Sequence, residues 1–257
     1  MNEAAVSMEQ VVLEYRVPRH QAGSLKETAV RIARGGIAFD LLLAVNEVSF
    51  EVHPGEVLGV IGANGAGKST LMKLMARVLP PTRGRVRVRG MVSPIIELGA
   101  GFNQEQTARE NVVLYGTLLG RDVRHMKAHC AQIADWAGLS DYLDVPIRAF
   151  SSGMVARLAF AVAVDVKPEV LLIDEILAVG DEAFQQKSSE KIQGLIRGGA
   201  AVVLVSHNMN QIVKSADRVM WLEHGRVRGM GDPSKITSAY SAASHNSLDQ
   251  TVGSNVS

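Results

Sequence analysis

Gly62-Ala63-Asn64-Gly65-Ala66-Gly67-Lys68-Ser69 is the stretch on which the reading of this chain turns. It satisfies G-x-x-x-x-G-K-[ST] in full, after the apolar run Val57–Ile61 and before a helical pattern over residues 69–78. The residue types follow from phosphate chemistry. Glycines let the backbone curl so that several N–H groups face one centre, where β-phosphate oxygens can sit. A helix beginning near Lys68 adds the positive end of its dipole. Lys68 supplies a mobile charge for the β- and γ-phosphates, and the Ser69 hydroxyl is a ligand for Mg2+. A bare glycine turn between strand and helix is the weaker reading. Gly62, Ala63, Asn64, Gly65, Ala66, Gly67, Lys68, Ser69 and Thr70 are therefore expected to bind nucleotide. Lys68 is expected on an exposed loop, so that its loss spares the fold.

A second segment supplies the carboxylates such a site needs. Val170-Leu171-Leu172-Ile173-Asp174-Glu175 is an apolar run that delivers two acids at its C-terminal end, the ligand-binding end in a parallel sheet. Asp174 would hold Mg2+ through water, and Glu175 would polarise the attacking water as general base. An apolar strand ending in Asp-Glu is common by itself; downstream of a phosphate-binding loop it gains this function.

Around these segments strands and helices alternate. Residues 10–15 and 44–52 have strand character, 85–89 and 92–97 read as strands joined at Gly90, and 201–206 is a second continuous apolar run. Residues 218–228 read as a hairpin turning at His224-Gly225. Thr107 and Glu110 form a capping-box pattern, and helical character then continues to about residue 166, broken at Gly138 and Pro146. Between the first two strands, residues 24–34 place Leu25, Ala29 and Ile32 on one helical face, with Lys26, Arg31 and Arg34 around it. The expected fold class is α/β, with a β-rich N-terminal part, a mostly parallel core sheet and a helical insertion at about 105–166. One domain is expected over 1–243, followed by a Ser/Asn/Thr-rich tail over 244–257 read as disordered.

Composition limits what such a chain can be. Its 257 residues are 47% hydrophobic and 21% charged, an ordinary globular balance. Lys plus Arg number 27 against 26 for Asp plus Glu, so the net charge of +1 offers no electrostatic argument for nucleic acid. A single cysteine, Cys130, excludes an internal disulfide and an all-cysteine metal cage. The start lacks a signal-peptide pattern, and no run approaches the roughly 18 apolar residues of a membrane span.

Phe150-Ser151-Ser152-Gly153-Met154 narrows the class further. Standing between the phosphate-binding loop and Asp174, it resembles the signature of ABC ATPases, usually LSGGQ, and the resemblance to that family runs from about residue 44 to 232. The resemblance implies a P-loop NTPase of ABC type, ATP and Mg2+ as its ligands, and a head-to-tail homodimer. In it the signature of one subunit closes over ATP held by the other, and Ser151 and Gly153 match the positions that reach the γ-phosphate. It further implies that His207 is the switch histidine on the γ-phosphate, and that Ala178-Val179-Gly180-Asp181 is the loop that meets the partner. Two positions depart from the family pattern. Where a glutamine is expected after the strand 92–97, Glu97 or Leu98 stands, with Gln104 too far along. For the aromatic that stacks on adenine, Tyr15 is the first candidate and Phe39 the second, since Leu41-Leu42-Leu43 fills much of that stretch.

Glu97-Leu98-Gly99-Ala100-Gly101-Phe102, Arg109-Glu110-Asn111 and Leu177-Ala178-Val179-Gly180-Asp181 are similar to the polysaccharide-exporter branch of that family. This resemblance implies an ATPase subunit at the cytoplasmic face of the inner membrane, docked on separate transmembrane subunits. Its transported substrate would be a lipid-linked glycan: O-antigen, capsule or teichoic acid. It also implies that 24–34 lies on the membrane side, with packing on the core as the alternative. Some members of the branch add a C-terminal glycan-binding domain; with about 25 residues after Asp232, none is expected here. Two rivals share the core motifs. A non-transport ABC ATPase would carry long coiled-coil insertions or paired ATPase units, and an exporter for lipid, drug or peptide would differ in its partner.

Overall fold

In chain order the elements are β1 (Val6–Pro18), β2 (Phe39–Val52), β3 (Val57–Ile61), α1 (Lys68–Met75), β4 (Arg83–Val88), β5 (Val92–Ile95), α2 (Ala108–Leu118), α3 (Val123–Ala137), α4 (Ser152–Val164), β6 (Val170–Asp174), α5 (Glu182–Arg197), β7 (Ala201–Val205), α6 (Met209–Ser215), β8 (Arg218–Glu223), β9 (Arg226–Gly231) and α7 (Pro233–Gly253). This computed structural model describes residues 3–18, 39–96, 98–174 and 180–253. Residues 24–34, Glu97, Glu175, Ala178 and Val179 lie outside the described residues.

The continuous apolar runs become strands covered on both faces, and alternation sorts their side chains into two cores. Leu58 and Val60 of β3, Leu172 of β6, Val203 of β7 and Met220 of β8 face one core, shared with α1 and the antiparallel sheet. Val57, Ile61, Leu171, Ile173, Val202, Leu204 and Val219 from the same strands face the other, against α4, α5 and α6. These strands build a six-stranded sheet in the order β5-β6-β7-β3-β8-β9, parallel except for the last pair. Gly59 lets α6 approach β3: a Cβ there would stand 3.2 Å from Ala216 and Ile212 side-chain atoms. β2, β1 and β4 form a separate antiparallel sheet. The hairpin of β8 and β9 turns through His224 and Gly225, both at positive φ (47° and 74°), as a two-residue connection of twisted strands requires.

Several boundaries differ from the sequence expectation, each for a physical reason. The first helix was expected to reach residue 78 but ends at Met75. Arg77 takes a left-handed φ of 60°, the Val78 N–H folds back onto the Lys73 carbonyl, and the Arg77 guanidinium hydrogen-bonds the Val88 carbonyl. The strand expected over 92–97 ends at Ile95, where its pairing with Ile173 ends. α7 carries helical backbone from Pro233 to Gly253. No helix among the described residues is long and apolar enough to cross a membrane.

The helical insertion has its own core, with Val112, Met126, Ile133, Leu158 and Val162 fully or almost fully buried. Trp136 joins it to the parallel sheet by packing on Phe160 and Phe184, at ring separations of 5.8 and 5.4 Å. The expected capping box at Thr107 and Glu110 is formed, and beside it stands the buried Asn111. The Asn103 N–H donates to Asn111 Oδ1 at 2.7 Å. Asn111 Nδ2 donates in turn to the carbonyls of Asn103, Gln106 and Thr107 at 2.9–3.1 Å. One side chain thus holds the turn that leads from the core sheet into α2. Asn111→Ala is expected to lower stability by roughly 1–3 kcal/mol, the cost of stripping partners from buried polar groups. Urea unfolding reads this directly; an unchanged midpoint would rule the clamp out.

Candidate functional site

The phosphate-binding loop is wedged between parts of both sheets, and its glycines follow from that wedge. Gly62 has φ +152°, and a Cβ on it would stand 2.2 Å from the Leu222 carbonyl oxygen of β8. At Gly67, with φ +104°, a Cβ would stand 2.3 Å from the Ala44 carbonyl oxygen of β2. No side chain larger than hydrogen fits at either place. The Gly225 N–H donates to the Ala66 carbonyl at 2.9 Å, and the Asn46 N–H donates to the Gly225 carbonyl at 2.8 Å, locking the hairpin and β2 onto the loop. Lys68, expected on an exposed loop, is only 8% exposed. Its Nζ donates to the carbonyls of Gly62 at 2.7 Å and Ala63 at 2.9 Å, so the lysine folds back over its own loop and contributes to its shape.

A cleft of about 380 Å3 opens on this loop. Lys68, Ser69 and Thr70 enter it from the start of α1, Asp174 from the end of β6, His207 from just beyond β7, and Tyr15 from β1. The topology explains the convergence. β6, β7 and β3 are parallel neighbours, so all three release their C-terminal ends at one edge of the sheet. Tyr15 has its hydroxyl 3.5 Å from Thr70 Oγ1. Phe39, the second aromatic candidate, is half exposed and does not line the cleft. Curled backbone, a helix N-terminus, an ammonium, a hydroxyl and a carboxylate in one cleft suit a polyphosphate with a divalent cation.

Ser151 and Gly153 do not line that cleft. Ser151 caps α4, accepting from the Met154 N–H at 3.2 Å, and is exposed. A Cβ on Gly153 would meet nothing closer than Ser151 Oγ at 3.9 Å, so nothing in its own chain requires glycine there. One turn along α4, Arg157 makes an ion pair with Asp181 and lies 5.2 Å from the Phe184 ring centre. Gly180 makes room for it: a Cβ there would stand 3.0 Å from Arg157 Nε. The Phe184 N–H and the Arg157 guanidinium hold the Asp181 carboxyl below its ordinary range, which keeps this tie charged. Sequence reasoning missed Arg157; its one signal was its place one helical turn after Gly153.

The two kinds of glycine should separate in experiment. Gly67→Ala is expected to lower thermal stability and cost at least about tenfold in nucleotide affinity, since its Cβ collides with fixed backbone. Gly153→Ala should keep or raise the melting temperature, because alanine favours helix by up to ~1 kcal/mol, while turnover falls. Equal destabilisation by both substitutions would mean that Gly153 also serves packing within its own chain.

Comparison with known proteins agrees with this fold. The family description "ABC transporter" matches residues 45–178. The O-antigen export system ATP-binding protein RfbB of Klebsiella pneumoniae is 41% identical, over 93% of this chain and 98% of that protein. The teichoic acids export ATP-binding protein TagH of Lactiplantibacillus plantarum is 35% identical, over 97% of this chain and 68% of that protein. Among solved structures, an ATP-binding cassette captured as a dimer in a post-hydrolysis state with ADP and Pi superimposes with a TM-score of 0.68. It is 20% identical, with 89% of this chain and 98% of that one covered. The chain therefore belongs to the ABC transporter family, as an ATP-binding subunit of the branch whose named members are O-antigen and teichoic acid export ATP-binding proteins.

Proposed function

We propose that this subunit works as a homodimer beneath separate transmembrane subunits, at the cytoplasmic face of the inner membrane. There it couples ATP binding and hydrolysis to export of a lipid-linked glycan of the O-antigen, capsule or teichoic acid class. The observation that carries the reading is the division of the site. One cleft gathers Lys68, Ser69, Asp174 and His207, while Ser151 and Gly153 stand elsewhere with an unobstructed backbone. Two copies arranged head to tail would bring the signature of one over the cleft of the other. The glycan class rests on the named relatives.

Each residue then has a task. The loop N–H groups and Lys68 bind the β- and γ-phosphates, and Tyr15 stacks on adenine. Ser69, together with Asp174 through water, would hold Mg2+, which neutralises phosphate charge when bound. Glu175, the residue after Asp174, accepts the proton of the attacking water, and His207 contacts the γ-phosphate. Ser151 and the N-terminus of α4 add donors from the partner, where a helix start favours an anion.

Glu175→Gln is expected to keep ATP affinity while slowing hydrolysis by ~10²–10⁴-fold, the usual worth of a general base; near-normal turnover would remove Glu175 from the mechanism. Sharing between subunits has its own test. A Ser151→Arg subunit mixed with a Lys68→Ala subunit, each first confirmed as folded, can still assemble one intact composite site. The mixture should recover activity that neither variant has alone. Equal inactivity of mixture and parents, with dimerisation verified, would argue against shared sites.

A further inference from the structure

The helical insertion holds a second convergence of ligating side chains, and none of its members lines the nucleotide cleft. His125 and His129 stand four residues apart on α3, the spacing that places two imidazoles on one helical face. Asp165 is the residue that ends α4. His125 Nε2 lies 3.6 Å from Asp165 Oδ2, and His129 Nδ1 lies 3.5 Å from the same oxygen. All three atoms lie within 4.8 Å of one another, are shut off from solvent and have no hydrogen-bond partner.

Three unsatisfied polar atoms in one buried spot are costly unless something sits among them. An ion pair with protonated histidine satisfies them poorly. Charge-assisted hydrogen bonds run at about 2.7–2.9 Å, and both separations here are well beyond that. Two imidazolium ions with ring centres 3.9 Å apart would also repel each other. The same separations suit coordination: bonds of ~2.0–2.1 Å at tetrahedral angles put neighbouring ligand atoms ~3.3–3.4 Å apart. Two neutral imidazoles and a carboxylate select the zinc class over Mg2+ or Ca2+, which prefer all-oxygen shells. The imidazole side chains are 39% exposed, so only the ligating edge of each ring is covered. Arg121 also acts on Asp165 electrostatically, from an anchor on the Val162 and Ala163 carbonyls.

We infer that His125, His129 and Asp165 form a binding site for one Zn2+-class dication, with these three side chains as its protein ligands. The ion would tie α3 to the C-terminal end of α4, the helix whose N-terminus carries Ser151. Its effect would be to stiffen the insertion that presents the signature, leaving the chemistry of the cleft to other residues.

Zn2+ alone, titrated calorimetrically at neutral pH into the full chain without a histidine tag or nucleotide, should bind with one equivalent and raise the melting temperature. His129→Ala and Asp165→Asn should each weaken that binding by at least about tenfold, while the Ser69→Ala, Asp174→Asn double variant keeps it. Failure of the unaltered chain to bind Zn2+, or affinity unchanged in His129→Ala, would overturn the site. Should the variants not fold, ring-nitrogen NMR of the unaltered protein decides the matter. Zn2+ should shift His125 and His129 among the seven histidines; shifts confined to the other five would overturn it too.

Discussion

The carbonyl group of Ala44 is where both sheets and the phosphate-binding loop meet. A Cβ on Gly67 would stand 2.3 Å from its oxygen, and one on Gly225 would stand 2.9 Å from it. Hydrogen bonds from Asn46 to Gly225 and from Gly225 to Ala66 close the same knot. β2 of the antiparallel sheet, the hairpin of the parallel sheet and the loop after β3 therefore hold one another at backbone distance. A loop fixed in this way needs little rearrangement to present its N–H groups, and pre-organised dipoles are worth most where water is excluded. The folded-back Lys68 belongs to the same rigid unit, with two of its own loop carbonyls as partners.

The rest of the molecule divides according to whether it shares that rigidity. Asp174 and His207 do, since they leave adjacent strands of one sheet. The N-terminus of α4 belongs to the insertion, whose core is separate and which meets the sheet through Trp136, Phe160 and Phe184. Arg157 and Asp181 add a charged tie between α4 and the start of α5. Such an arrangement would suit the composite site proposed between two copies, with one firm half and one presented half.

How far this could be read from sequence depended on the range of the forces involved. The loop was legible because its glycines, Lys68 and Ser69 stand at fixed spacing between an apolar run and a helical pattern, and the capping box at Thr107 and the turn at His224-Gly225 are local patterns in the same sense. The buried strands were legible because apolar faces on both sides leave a continuous run. The burial of Lys68 was hidden, since its spacing does not reveal that Nζ folds back onto the Gly62 and Ala63 carbonyls, and so were the approaches of Leu222 and Ala44 to Gly62 and Gly67. Tyr15 lines the cleft and Phe39 does not, and the pairing of β1 with β2 that places them has register shifts between Met8 and Glu14. α5 escaped notice because Phe184, Ser188, Ile192 and Leu195 make a thin apolar stripe interrupted by a serine. Asp165 lies far from His125 and His129 in sequence, and only the packing of α3 on α4 brings the three together.

The central claim is that one chain holds ATP in its cleft and a second copy completes the site. Light scattering on the Glu175→Gln variant, with MgATP present and then with MgADP alone, tests this most directly. The account predicts the mass of a dimer with ATP and of a monomer with ADP, with the ATP-dependent mass lost when Ser151 is replaced by Arg. A variant that binds ATP at full occupancy yet keeps the mass of a single chain would contradict it.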